Sequence, residues 1–180
     1  IQPGDDNRPS VAPNPAALGN AWFVENIEWV ENADQELEAL SDFNPERTVI
    51  IDERFRNKLE GFEVQADSLA AIKLIEYEPN HLKYQSNTQK DQFAVFSEIY
   101  YPKGWNAYVD GEKIPHVRVN YVLRGMVIPA GKHLVEFKFE PQVFRVGEKV
   151  SFATSLLLII LVAGYGVFAI MRYFRQDQKN

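Results

Sequence analysis

The stretch Trp105-Asn106-Ala107-Tyr108-Val109-Asp110-Gly111-Glu112-Lys113-Ile114 decides the fold class. Trp105, Ala107 and Val109 alternate with polar or amphipathic neighbours, the period of a half-buried strand. Asp110-Gly111 then supplies the two residues that tolerate positive φ in a tight hairpin, predicting a return strand over Lys113 to Asn120. Downstream, Tyr121 to Ile128 and Lys132 to Glu140 predict a second hairpin through Pro129-Ala130-Gly131. In its last strand Val135, Phe137 and Phe139 face in, while Leu134, Glu136 and Lys138 face the other way. Upstream, Ala71 to Glu78 turns at Pro79-Asn80 and returns over His81 to Thr88 with Leu82 and Tyr84. Gln92 to Tyr101 is apolar on both sides, with Phe93, Val95, Ile99 and Tyr101 against Phe96 and Tyr100. Two apolar faces require two covering layers. The sum is a mainly β chain: an antiparallel, jelly-roll-like β-sandwich with one or two short helices.

The helices are expected early. Residues 1–19 are rich in Pro, Asp and Asn and predict an extended lead-in, and the sandwich domain runs over 20–141. Ala21 to Glu31, Ala-Trp-Phe-Val-Glu-Asn-Ile-Glu-Trp-Val-Glu, is dense in β-branched and aromatic residues and opens it as a strand. Asn32 with Gln35 three residues later resembles a capping box, followed by a short helix with Leu37 and Leu40 on one face. Asn44-Pro45 ends that unit, and Thr48 to Ile51 is a buried-type strand. Phe55, Leu59 and Phe62 recur at helical spacing, predicting a turn or two packed by those three side chains.

Val150 to Met171 carries no charge and is closed by Lys149 and Arg172. A helix of that length crosses the roughly 30 Å hydrocarbon core of a bilayer. The expected division is a connector over 142–149, a transmembrane helix over 150–172 and a cytoplasmic tail over 173–180. Arg172, Arg175 and Lys179 against Asp177 make that tail positive, which places it inside and the β domain outside the cytoplasmic membrane. The chain opens with Ile1 and shows no secretory leader, so delivery of the domain is expected to depend on a preceding membrane region of a longer protein. The lipid bilayer and that upstream region are the first expected partners. Net charge of −6 leaves no basic stripe for nucleic acid, and the absence of cysteine removes disulfides and thiolate chemistry.

Catalytic signatures are missing from the pattern. His81, His116 and His133 share no ligand spacing, and each is expected at the surface. Glu76 with Glu78, or Glu136 with Glu140, falls on solvated strand faces. There is no Gly-rich phosphate loop and no Gly-x-Ser-x-Gly elbow. No catalytic residue, cofactor or metal ligand is therefore assigned. The aromatic cluster around Pro102 and Gly104 stands out: Tyr100, Trp105 and Tyr108 could stack on sugar rings, but a sandwich core and a corner turn use the same residues, and for Trp105 core packing is the favoured reading.

Several blocks carry a family resemblance. Tyr100 to Gly111, Asn120-Tyr121-Val122-Leu123-Arg124-Gly125, Pro129-Ala130-Gly131-Lys132-His133 and Val135 to Phe139 resemble the C-terminal extracytoplasmic region of YfhO-type bacterial membrane proteins. Asn14 to Phe23 is similar to the Bacteroidetes branch of that family. The resemblance implies a polytopic protein similar to GT-C-type glycosyltransferases. Some Gram-positive members are implicated in transferring sugar from an undecaprenyl-phosphate donor to lipoteichoic acid. Their catalytic acids lie in loops upstream of the region matched here, so none is carried over to this chain. An envelope glycan or undecaprenyl-linked sugar becomes an expected partner. The alternative is a non-catalytic structural module docking on its own membrane domain or an envelope protein. Asp67-Ser68-Leu69 also resembles the tripeptide that Bacteroidetes glycosylate, a pattern any acidic chain contains by chance.

Overall fold

A computed structural model describes the backbone of residues 2–3, 9–10, 14 and 16–177, and the side chains of residues 14, 16–141, 147, 150–166 and 168. Most of the expected lead-in lies outside the described residues. The chain divides into two units, residues 1–139 and 140–180.

The first unit is mainly β. Its strands are β1 (Gln2–Pro3), β2 (Pro9–Ser10), β3 (Ala21–Val24), β4 (Asn26–Val30), β5 (Thr48–Asp52), β6 (Ala71–Glu78) and β7 (His81–Thr88). They continue as β8 (Gln92–Ile99), β9 (Trp105–Val109), β10 (Glu112–Ile114), β11 (Val117–Val119), β12 (Leu123–Ile128) and β13 (Gly131–Phe139). A five-stranded sheet in the order β10-β9-β13-β7-β6 and a four-stranded sheet in the order β11-β12-β8-β3 are both antiparallel. Tyr84 and Phe137 from the first meet Phe96 from the second, with ring centroids 4.8–6.2 Å apart in edge-to-face geometry. Ala94, Met126 and Ile128 complete this core against Leu82, Ala107 and Val135.

The four-stranded sheet is covered on its other face as well. Phe93, Val95, Val117 and Val119 pack against Val49 and Ile51 of β5 and against Leu59. That third layer is built from β4, helix α1 (Ala33–Ala39), β5 and a 3₁₀ helix at Glu53–Lys58. Strands β4 and β5 are parallel, which the antiparallel expectation did not include. Helix α1 lies between them in the chain and provides the crossover that parallel pairing needs.

Two expected strand pairings are corrected. The return strand over Lys113 to Asn120 breaks at Pro115, which has no N–H to give a ladder. Strand β10 stays with β9, while β11 joins the other sheet. Likewise β12 and β13 do not form a hairpin: β12 pairs with β8 and β11, and β13 pairs with β7 and β9. Pro129 to Gly131 carries the chain from one sheet to the other, so Ile128 and Val135 enter the same core from facing sheets. The Asp110-Gly111 turn forms as expected, with φ of 51° and 85°. Asp110 also accepts hydrogen bonds from Leu134 N at 2.9 Å and from His133 Nδ1 at 2.6 Å.

Helix α1 starts at the expected cap. Asn32 Oδ1 accepts from Asp34 N at 3.1 Å and Gln35 N at 3.0 Å, and Gln35 reaches back to Glu31 N at 3.0 Å. Its inward face differs from the expected one. Leu37 is 53% exposed, and Glu36 is the fully buried residue. Arg118 of β11 donates to the Glu36 carboxylate, and Tyr121 N donates to it at 2.8 Å. The Arg118 guanidinium also lies 3.9 Å from the buried Asp52, whose other oxygen caps the 3₁₀ helix through Arg54 N at 3.0 Å. Asn120 closes the seam, exchanging bonds of 2.9 Å with Ile50 N and Ile50 O.

The second unit contains α2 (Gln142–Asp177), a continuous 36-residue helix. The segment expected as a connector forms its first turns, and the expected span lies within it. The described large apolar side chains from Val150 to Tyr165 are exposed, and Thr154 Oγ1 donates back to Val150 O at 2.7 Å. Among the described residues no helix is long and apolar enough to cross a membrane, so the expected crossing is not shown. Residues 178–180 of the expected tail lie outside the described residues.

The buried carboxylate makes the third layer sensitive to one atom pair. A buried ion pair adds little net stability, but removing one partner strands the other. Glu36→Ala is expected to lower the unfolding free energy of the full chain by about 3 kcal/mol. Leu37→Ala is expected to change it by less than about 0.5 kcal/mol. Urea unfolding of both variants measures the contrast.

Candidate functional site

Two crossings between the sheets build one groove. The chain leaves β8 at Ile99 and enters β9 at Trp105, and it leaves β10 at Ile114 and enters β11 at Val117. Tyr100, Pro102 and Trp105 from the first crossing, Pro115 and His116 from the second, and Lys58 and Lys113 beside them line a groove of about 370 Å³. The first crossing is tight because of Gly104. A Cβ there would sit 2.2 Å from the Phe139 ring, so only glycine lets the backbone pass.

Trp105 has a double role. Its half-buried ring packs on the inter-sheet core and tilts over Phe139 at 5.3 Å, while another part lines the groove. Behind it lies Arg124, 2% exposed, with Cζ 4.3 Å from the Trp105 ring and 5.1 Å from the Phe137 ring. Arg124 Nε donates to Ile99 O at 2.8 Å, and its Nη1 has no hydrogen-bond partner among the described residues. Tyr100 stands edge-on to His116 at 5.3 Å and to Phe55 at 5.9 Å, and burial pushes its phenol up. His116 also meets Phe137 at 5.7 Å, and its Nε2 is buried without a described partner.

The sequence-selected aromatic residues therefore separate. Tyr100 and Trp105 come together in the groove. Tyr108 alternates to the outer face of β9, opposite Glu136, with Lys138 Nζ 5.0 Å from its ring. His116, Lys58 and Lys113 were not selected as site residues in the sequence. Nothing local links Lys58 to residues 100–116; only the fold of the third layer brings it there.

The other histidines also have specific partners. His133 bonds Asp110 through Nδ1 and Ala130 O through Nε2 at 3.0 Å. His81 Nε2 lies 2.8 Å from Glu136, which is 8% exposed and so does not belong to a solvated face. Glu76, Glu78 and His81 offer ligand atoms within 4.8 Å of one another and are the described residues that could hold a metal. Lys83, however, already neutralises Glu76 at 2.8 Å, and Glu136 holds His81. A second groove of about 630 Å³ includes Trp29, but Arg56 covers that ring at 4.2 Å. Ser68 of the Asp67-Ser68-Leu69 tripeptide sits on an exposed turn closed by the Ala70 N to Asp67 O bond of 3.1 Å.

Comparison with known proteins decides the lineage. The family model described as "Bacterial membrane protein YfhO" matches residues 56–151, more than half of the chain and all of β6 to β13. The chain belongs to the YfhO family. No curated protein and no solved structure matches it. Membership in a family of bacterial membrane proteins supports a membrane location. Within this YfhO-family chain, the Tyr100–Trp105 crossing and the His116 crossing both lie inside the matched region.

Two histidines should give opposite pH dependences. Burial, and then the charge of Arg124, pushes His116 down to about 4. The unfolded chain therefore takes up a proton that the folded chain refuses, and stability falls as pH drops from about 6.5 towards 4. The hydrogen bond to Asp110 raises His133, so its contribution is complete below about 6.5 and is lost as pH rises through the folded value. His116→Phe is expected to flatten the acid limb of the stability–pH profile by about 2–3 kcal/mol and leave the alkaline limb in place. Denaturant titrations across that range measure both limbs.

Proposed function

We propose that this chain is the C-terminal extracytoplasmic part of a polytopic YfhO-family protein resembling GT-C-type glycosyltransferases, and that its sandwich holds a cell-envelope glycan for the membrane-embedded part. The observation that supports this best is the groove itself. One crossing places Tyr100 and Trp105 together, with the ammonium groups of Lys58 and Lys113 beside them. Aromatic rings that offer an apolar surface beside a hydrogen-bonding atom suit a pyranose, which has an apolar face and a hydroxyl rim. The role is accessory, because the catalytic acids of such enzymes belong to the upstream membrane part.

Residues 150–172 cross the bilayer in this proposal, with the positive flank of Arg172, Arg175 and Lys179 in the cytoplasm. An undecaprenyl-linked sugar or an envelope polymer then reaches the groove from the outer side. A second proposal has its own observation. The edge strand β6 exposes Ile75 (52%) and Tyr77 (64%), a surface suited to a protein partner such as the protein's own membrane domain.

The native chain has no cysteine, so single substitutions map its sidedness cleanly. Ser68→Cys is expected to react with a membrane-impermeant maleimide in intact cells, and Gln178→Cys only after permeabilisation. The reverse pattern would put the sandwich in the cytosol. For the groove, titration of the full chain in detergent with envelope saccharides is expected to lose about tenfold in affinity on Trp105→Ala. Tyr108→Ala is expected to leave binding unchanged. Absence of binding by every saccharide, with a folded Trp105→Ala, rejects the glycan role in favour of docking through β6.

A further inference from the structure

The lining of the groove is charged in one direction. Acidic residues outnumber basic ones in the chain, 25 to 19, yet Lys58 and Lys113 line the groove and, among the described residues, no carboxylate does. Among the described residues neither lysine makes an ion pair. Both line the groove beside His116, where their charges add, after burial and Arg124, to what lowers its pKa. Arg124 adds a third cation behind the Trp105 ring, with one guanidinium nitrogen unpartnered. An anion in the groove would face two ammonium groups, Lys58 with its Nζ 5.6 Å from the Phe55 ring, while Arg124 adds only its longer-range field from behind Trp105.

We propose that the groove selects saccharides that carry a negative group, a phosphate or a carboxylate, with Lys58 and Lys113 holding the charge and Tyr100 and Trp105 the ring. This rests on the glycan role proposed above and adds the ligand's charge to it. His116 is neutral at physiological pH and so adds no third positive charge to the groove. The two lysines are solvent-exposed, so each contributes modestly and their combined effect is a selectivity rather than an all-or-none requirement. Because both reach the groove from outside the core, they can be neutralised without disturbing the fold.

The test compares four probes on the full chain in detergent micelles by calorimetric titration: a neutral glucose oligosaccharide, the same oligosaccharide bearing a terminal 6-phosphate, its glucuronate-terminated analogue, and inorganic phosphate alone. At low salt the two charged saccharides are expected to bind about tenfold more tightly than the neutral one. The advantage should vanish in the Lys58→Gln/Lys113→Gln double variant and shrink in high salt. Preference for only one of the charged pair supports the proposal and identifies which anion the groove takes. Equal affinity for neutral and charged saccharides overturns charge selection and leaves the glycan role standing. Phosphate alone binding as tightly as the phosphosaccharide overturns the shared part played by the rings. Binding by none of the saccharides removes the glycan role and this proposal with it.

Discussion

Five consecutive residues of one strand, Gln92 to Phe96, are all buried. Side chains of a strand alternate between faces, so this run forces the sheet around β8 to be covered on both sides. Phe93 and Val95 face one core, and Ala94 and Phe96 the other. Even Gln92 is satisfied, donating through Nε2 to Gln65 O at 2.6 Å. A nine-stranded sandwich alone cannot meet this demand. The layer of β4, α1, β5 and the 3₁₀ helix does, and the Glu36–Arg118 pair and the Asn120–Ile50 bonds fix it in place. That same layer carries Lys58 to the groove.

The groove follows from the way the chain changes sheets. Every crossing leaves backbone and side chains at the rim that no ladder organises, and at this rim they include Tyr100, Trp105, His116, Lys58 and Lys113. Arg124 is the informative residue. A desolvated cation over Trp105 contributes about 2 kcal/mol, and a buried nitrogen without a partner costs about 1–3 kcal/mol. The Nε bond to Ile99 O and the contact with Phe137 offset the remaining cost of burying the charge. It also backs Trp105 from the core side, with Phe139 packed against the same ring. A ring held in this way loses little freedom when a ligand stacks on it.

Much of this architecture is legible in the sequence, where local chemistry is decisive. Asp110-Gly111 announces a turn because the required backbone admits few other residues, and the two-sided apolar run of β8 announces a central strand. The cap at Asn32 fixes where α1 begins but not which side turns inward. A rule of apolar burial chose Leu37, while the partner of Glu36 lies 82 residues away at Arg118. Pro115 and Pro129 mark chain reversals equally well whether the next strand returns beside the last or crosses to the facing sheet. That choice depends on pairing with β7, β8 and β11, which no local pattern encodes. The groove was half visible: Tyr100 and Trp105 are neighbours in sequence, but Lys58 and His116 join them only in the fold.

The three tryptophans offer the most direct measurement of the central claim. Trp22 is tied through Nε1 to Pro45 O at 2.8 Å, Trp29 lies beneath Arg56, and Trp105 lines the groove. With the full chain isotopically labelled, the three indole N–H resonances can be followed while a saccharide is titrated. The Trp105 resonance is expected to shift and saturate while those of Trp22 and Trp29 stay fixed. A saturable shift at Trp29 alone, or none at Trp105, would contradict the assignment of this groove as the binding site.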